Sequence, residues 1–300
     1  MSRQPLVSIV INCFNGEKYL REALDSVIKQ TYENWEIIFW DNQSTDKSAE
    51  IFKSYQDKRL KYFLATSHTS IVYEARNDAL KKTNGEFIAF LDVDDWWLPD
   101  KLNKQIPLFE DPEVGLVYGK LWYFFEKKNK KKIFKKKDLP TGMIVSELLR
   151  ENVIGSPTYI IKKKALESLN YYFNDHFHII GDYDFYVRFA CKWKFNCVQT
   201  PIAVARIHGQ NESLIKRNVE INEMKIWYEE AKKNPVLSSL SEFSQIPSKI
   251  SYLEIMESIL QDGFKKSILM VAEYPLSFNK IKLLIALFMP NFLLKKIKNY

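Results

Sequence analysis

A chain of 300 residues that is 46% hydrophobic and 14% aromatic, with only 9 Gly and 11 Pro, can bury a full core, which excludes a disordered or low-complexity protein. Its net charge of +7 admits an anionic partner, whether nucleotide, nucleic acid or membrane surface, without selecting one. Cys13, Cys191 and Cys197 are too few for a disulfide framework and fit no CxxC or Cys/His zinc spacing, so a reducing cytoplasm is the expected compartment. The start MSRQPLVSIVINCFN lacks the apolar length and cleavage site of a signal peptide. No run reaches the roughly 18 to 20 apolar residues of a membrane span, so an integral protein is not expected.

The first elements alternate in type. LVSIVIN (6–12) is a β-branched run that reads as a buried strand. In residues 15–30, Tyr19, Leu20, Ala23, Leu24, Val27 and Ile28 recur at helical spacing, with Asn15 as the expected cap. WEIIFWDN (35–42) is a second strand, followed by a polar turn and a helix capped near Ser44 or Thr45. KRLKYFLA (58–65) is a third strand, and residues 70–85 read as a helix closed by a left-handed cap at Asn84-Gly85. EFIAFLDVDD then supplies a fourth strand. This rhythm predicts a doubly wound, mostly parallel sheet, whose ligands bind beyond the carboxyl ends of the strands. Asn12-Cys13-Phe14, Asp41-Asn42 and Asp92 to Asp95 all fall at such ends, so they share one edge.

After residue 110 the pattern changes. VGLVYGKLWYFFEKK and KKIFKKKD predict an antiparallel hairpin, and its lysines (127–138) read either as a solvated arm or as a membrane or phosphate contact. Short helices are expected at GMIVSELLREN and DYDFYVRFACKW, a strand running into a helix at SPTYIIKKKALESL, and strands at NCVQTPIAVARIHG. From 213 onward the chain reads as helical.

FLDVDDWW (90–97) poses the chemical question. Two carboxylates about 5 Å apart repel by roughly 3 kcal/mol at an effective dielectric near 20. Asp92 and Asp94 alternate, so both can face one side, and hard oxygen donors at that spacing suit Mg2+ or Mn2+ together with substrate phosphates. An acidic turn capping a following helix is the structural alternative.

Four pieces taken together carry a resemblance: the stretch from VSIVINCFN to DNQSTDKS, then ARNDALKKTNGEFIAFLDVDDWWLPDKL, GDYDFYVRFA and ARIHGQNES. In this order and spacing, over residues 6–213, they resemble the family 2 glycosyltransferases with a GT-A fold. The resemblance implies an α/β, Rossmann-like nucleotide-diphospho-sugar transferase fold. It also implies a nucleotide-sugar donor, a divalent cofactor (Mn2+ or Mg2+) and inverting transfer to an acceptor hydroxyl. Asn12 and Phe14 then correspond to the wall of the nucleobase pocket. Asp41 and Asn42 correspond to the acidic pair that holds the base, with Asn42 departing from the family's second acid; an amide can still pair with a uracil edge. Arg76 matches an arginine near base and phosphates, and Asp92 lies by ribose and metal. Asp94 or Asp95 binds the metal, Asp94 being favoured by alternation, and His208 approaches the metal or diphosphate. Asp182 matches the catalytic base of an acidic segment at a helix start, with Gly181 in place of the usual Glu and Asp184 as the second choice. For each acid a cap or ion pair is the structural alternative.

The expected organisation is a transferase domain over 1–212, with a nucleotide-sugar half near 1–110 and an acceptor half near 111–212, and a helical region over 213–300. A glycan or lipid-linked acceptor and cell-surface polysaccharide synthesis are family-level expectations. KIKLLIALFMPNFLLKKIKNY (280–300) is too short to span a bilayer, but its lysine-flanked apolar run fits a membrane interface at the inner face of the cytoplasmic membrane. Packing on the core or on a second subunit would give the same pattern. No P-loop is present, the Gly-rich basic loop of nucleotidyltransferases is missing, and clustered lysines alone do not make a nucleic-acid module. A catalytically inactive relative acting as a scaffold or nucleotide-binding protein is the remaining alternative.

Overall fold

The computed structural model describes residues 4–135, 137–290 and 293–294. The expected membrane-contact tail therefore falls partly outside the described residues. The chain divides into two compact units, Met1–Asn211 and Glu212–Tyr300.

The first unit is built on one sheet of nine strands among the described residues. These are β1 (Val7–Cys13), β2 (Trp35–Asp41), β3 (Leu60–Leu64), β4 (Phe87–Phe90), β5 (Trp96–Trp97), β6 (Val114–Phe125), β7 (Lys130–Phe134), β8 (Ile160–Lys162) and β9 (Lys194–Ile207). The order is β3-β2-β1-β4-β8-β6-β9-β5, with β7 paired to β6. The strands β3, β2, β1 and β4 run parallel. Antiparallel pairing enters at β8, and β9 again runs parallel to β6. The lysine-rich hairpin is the antiparallel β6–β7 pair.

Burial explains the parallel half. All seven residues of β2 are buried, as a strand covered on both faces requires. On one face Val7, Ile9, Ile11 and Cys13 of β1 meet Leu20, Ala23, Leu24 and Val27 of helix Leu20–Ile28. Each fully buried Val, Leu or Ile among them contributes about 1.5–3 kcal/mol. That helix starts later than expected, because Asn15 adopts a left-handed φ of 52° and accepts the Thr45 amide with its own side chain. The next helix, Ser48–Lys53, also begins beyond the expected Ser44 or Thr45 cap.

β5 brings the far edge of the sheet back over this helix. The Trp97 amide donates to Ser26 Oγ at 3.1 Å, and Gln30 Nε2 donates to the Leu98 carbonyl at 2.7 Å. Trp96 and Trp97 are thus a strand paired with Val204 and Ala203, not the start of a helix. The aspartates that precede them bridge the centre of the sheet and its last strand.

Gly85 differs from expectation in an instructive way. Its φ is not left-handed; instead a Cβ there would lie 2.6 Å from the Ser8 amide nitrogen and 2.7 Å from the Leu6 carbonyl. The Gly85 amide donates to Ser8 Oγ, which donates in turn to the buried Glu36 carboxylate. Glu36 also accepts from Lys61 and from the Asn84 amide, so this buried acid is a structural tie at the opposite end of the strands.

The second unit is helical, with its main helices at Arg217–Ala231, Ile246–Gln261, Phe264–Glu273 and Phe278–Phe288. Ile255, Ile259, Val271, Tyr274, Leu283 and Leu287 form its own small core. Among the described residues no helix is long and apolar enough to cross a membrane.

Gly85→Ala should destabilise the fold by about 1–3 kcal/mol, because the atoms it meets are backbone and β1 must move. Urea unfolding should show a lower midpoint at unchanged slope; an unchanged midpoint would refute the close-approach account.

Candidate active site

The three polar strand ends lie on one edge, and the loops after β1 and β2 are bolted together there. The Gly16 amide donates to Ser48 Oγ, the Glu17 amide to Asp46, and the Lys47 amide to Glu17. Asp41 is 1% exposed and accepts from the Ser44 amide (2.8 Å) and the Tyr62 hydroxyl (2.6 Å). Asn42 donates to the Thr69 carbonyl and accepts from the Thr69 amide. Both side chains expected against a base are thus taken up in holding their own loops. The open surface at this end is Phe14, 49% exposed, with the His68 ring 4.3 Å away. His68 Nδ1 sits 3.0 Å from the Asn42 carbonyl. A lone His in a polar loop gives no sequence signal, and His68 was not anticipated. Asn12 lies behind this surface, with both amide atoms buried and no partner among the described residues.

Each of the three clustered aspartates has a different partner. Asp92 Oδ1 accepts from Arg76 Nη2 at 2.7 Å, while Oδ2 is 3.4 Å from Ser156 Oγ. Arg76 is buried among the rings of Tyr73, Phe90 and Phe173. It is a counter-ion for Asp92 rather than an open phosphate ligand. Asp94 Oδ2 lies 2.9 Å from His208 Nε2 and 3.5 Å from Asn211 Nδ2. Burial, then the neighbouring Asp92 charge, raises the Asp94 carboxyl above its ordinary range. Asp95 turns inward, and its Oδ1 accepts the Arg206 amide at 2.9 Å. Burial, with Asp94 and Asp92 behind it, holds Asp95 well above the usual carboxylate range.

Arg206 fastens this turn. Its Nε donates to the Asp94 carbonyl, and its guanidinium pairs with Glu22 and lies 3.6 Å from Glu126. Tyr19, Trp96 and Phe124 pack around it. Tyr19 also stacks on His208 and donates to Glu126. Glu22, Glu126 and Tyr19 were not anticipated, since an arginine bound by acids from two distant elements leaves no local pattern.

Asp94 and His208 are therefore together, and Asp95 is not with them. Among the described residues no group of three His, Cys, Asp or Glu side chains could hold a metal ion. A carboxylate and an imidazole still fit a Mn2+ or Mg2+ ion that takes its remaining ligands from water and substrate phosphates.

Asp182 stands in the first turn of helix Gly181–Ala190. Burial raises its carboxyl above the ordinary range, opposed by the Arg76 charge, the Tyr183 amide and the Tyr73 hydroxyl. Tyr73 explains Gly181: a Cβ there would meet the Tyr73 ring at 2.5 Å. The Tyr73 hydroxyl also donates to the Ile179 carbonyl at 3.2 Å, which ties it to the segment leading into this helix. Asp184 is occupied elsewhere. It pairs with Arg188 at 2.8 Å, and Arg188 holds the Tyr171 and Tyr172 carbonyls.

Comparison with known proteins gives consistent results. The profile described as "Glycosyl transferase family 2" matches residues 8–178. An uncharacterised glycosyltransferase of Methanocaldococcus jannaschii is 31% identical over 216 residues, 70% of this chain and 74% of that protein. The Escherichia coli UDP-Glc:alpha-D-GlcNAc-diphosphoundecaprenol beta-1,3-glucosyltransferase WfgD is 33% identical over 168 residues, 56% of this chain and 64% of its own length. Among solved structures, S. aureus TarS superposes with a TM-score of 0.67 at 20% identity, over 98% of this chain and 54% of TarS. The mannosyltransferase PcManGT from Pyrobaculum calidifontis, solved with GDP-Man and Mn2+, superposes with a TM-score of 0.66 at 16% identity, over 99% of this chain and 85% of that one. With the profile covering more than half of the chain, and the polar ends of its parallel strands gathered on one edge, the protein belongs to glycosyltransferase family 2 and is a glycosyltransferase.

Proposed function

We propose that the chain moves a sugar from a UDP-linked donor to an acceptor hydroxyl with inversion, at a membrane surface, in cell-surface polysaccharide assembly. The observation that carries this is the convergence of Asp182, the Arg76–Asp92 pair and the Asp94–His208 pair at the carboxyl edge of the sheet. The UDP assignment draws on WfgD, named for UDP-Glc, and on the TarS structure solved with UDP-GlcNAc. The lipid-linked acceptor draws on WfgD, whose named acceptor is a diphosphoundecaprenol-linked sugar.

In this reading the base packs against Phe14 and His68, in a pocket whose shape Asp41 and Asn42 fix by bracing the loops. Asp92, held by Arg76, keeps an oxygen toward the cleft for the donor's ribose. Asp94 and His208 would hold a divalent ion, which when bound would supply positive charge to the departing diphosphate. Asp182 accepts the proton of the acceptor hydroxyl. The acceptor oxygen forms its bond to the anomeric carbon on the face opposite the diphosphate, and the bond to the diphosphate breaks with its electron pair. A single displacement of this kind needs one carboxylate base, and Asp184 is already bound to Arg188.

Four outcomes test it. Asp182→Asn should lower kcat by about 10²–10⁴-fold while UDP binding and the unfolding midpoint stay unchanged; near-normal turnover would remove Asp182 from the chemistry. A base must be ionised to work, and burial raises the Asp182 carboxyl, so activity should fall with acid at a higher pH than an exposed Asp would give. Tyr73→Phe takes away a polar hydroxyl that lowers the Asp182 carboxyl and should move that acid limb to still higher pH; an unmoved limb would sever Tyr73 from the base. UDP with Mn2+ should stabilise the protein by about 2.7 kcal/mol at a hundred times its Kd, and Asp94→Ala or His208→Ala should abolish the Mn2+-dependent part. A larger shift with GDP would keep the enzyme class and overturn the UDP assignment.

A further inference from the structure

Large apolar side chains are exposed very unevenly. Among the described residues, ten of the seventeen that stand exposed lie between Phe264 and Leu293. Helix Phe278–Phe288 carries half of them. Leu283, Ala286 and Leu287 point into the core of the helical unit. Phe278, Ile281, Leu284, Ile285 and Phe288 stand exposed within about a third of the helix circumference. Phe278 is 71% exposed and Phe288 73%.

The preceding helix extends the same surface. Phe264, Ile268 and Leu269 are exposed on it, and the Phe264 ring meets Phe288 at 5.5 Å. Leu276, in the connecting turn, is 93% exposed. Lys280 fixes the two helices to each other, since its ammonium donates to the carbonyls of Ala272 and Tyr274. The apolar face is thus a built two-helix surface. Contiguous exposure of this kind marks a surface that meets another apolar phase.

We propose that this face docks on an anionic lipid surface. Charge argues for lipid. Helix Phe278–Phe288 contains no acidic residue, and residues 264–290 carry Lys265, Lys266, Lys280 and Lys282 against Glu273 alone. Lys282 borders the apolar stripe and Lys265 adjoins Phe264. Long lysine stems lie along apolar surface while their ammonium groups reach outward, which suits headgroup phosphates above acyl chains. A second copy of the chain on this face would set lysine rim against lysine rim with little acidic charge to answer it. The sequence beyond adds Lys295, Lys296 and Lys298, of the same sign. The surface would serve the lipid-linked acceptor of the proposed reaction and rests on that reading for its purpose, but its test needs no substrate.

The experiment is flotation of the full chain with phosphatidylcholine vesicles containing about a third phosphatidylglycerol, and with neutral vesicles. Partition should be at least about tenfold stronger on the anionic vesicles and should weaken as salt rises. The double variant Phe278→Gln, Ile285→Gln should lose it, and Lys265→Glu, Lys282→Glu should weaken it. Both pairs stand at the surface, and an unchanged unfolding midpoint checks that each variant is intact. Absence of flotation, equal flotation on neutral vesicles, or insensitivity to both variants would overturn the proposal. A concentration-dependent dimer in ultracentrifugation that disappears with Phe278→Gln, Ile285→Gln, without vesicle binding, would assign the face to a second copy instead.

Discussion

Everything at the sheet edge depends on how three carboxylates within four residues are kept from repelling one another. The fold gives each a different partner: a buried guanidinium for Asp92, an imidazole for Asp94 and a backbone amide for Asp95. None of these partners is local. Arg76 comes from a helix before β4, and Arg206 and His208 from the end of β9, more than a hundred residues further along. The turn is therefore stable only when the sheet is complete from β1 to β9. The site is in this sense a product of the whole sheet rather than of the turn that carries its acids. Arg206 has the central part. Acids from the first helix and from the tip of β6 hold it, and it in turn holds the aspartate turn by two backbone contacts.

The same contest between partners separates Asp182 from Asp184. Both lie in the first turn of one helix, where the helix dipole favours negative charge. Arg188 lies one turn from Asp184, and its Nε and Nη2 both close on Asp184 Oδ2. Asp182 instead feels Arg76 only as part of a shared field with Asp92, and it is largely desolvated. Tyr73 links the two regions physically. It sits on the Arg76 helix, its ring occupies the space over Gly181, and its hydroxyl reaches the chain just before Asp182. A side chain at 181 and an aromatic at 73 exclude each other, which gives Gly181 a steric reason independent of backbone freedom.

Most of the fold was legible because its signals are periodic. β-branched runs, helical spacing and strand–helix alternation fixed the parallel half, and the positions of its carboxyl ends followed. What was not legible falls into two kinds. The first is steric and long-range: Gly85 read as a helix cap because Asn-Gly commonly ends helices, whereas its role is to let two backbones approach. Likewise the strand Trp96–Trp97 left no signal of its own, because a two-residue strand is set wholly by the β9 it pairs with. The second is partner choice. Sequence places Asp41, Asn42 and Arg76 at the right edge but does not tell whether their polar atoms face a ligand or the protein.

Partner saturation supplies a criterion that residue type alone lacks. A carboxylate whose two oxygens both accept from fixed internal donors can reach a ligand only by breaking those bonds, which costs the desolvation of a buried group left unpaired. Asp41 is of this kind. Asp95, held inward by a backbone amide, and Asp184, whose Oδ2 takes two nitrogens of Arg188, stand close to it. Asp92 keeps one oxygen with only a long contact to Ser156, and Asp94 faces an imidazole that a cation can displace from it. Asp182 accepts only the amide of the next residue among the described residues. The acids thus sort into those that build the edge and those with capacity left at it. Asp92, Asp94 and Asp95 all lie past the end of β4, in the turn before β5, so what separates Asp95 from the other two is the Arg206 amide that holds it inward and not the alternation of a strand.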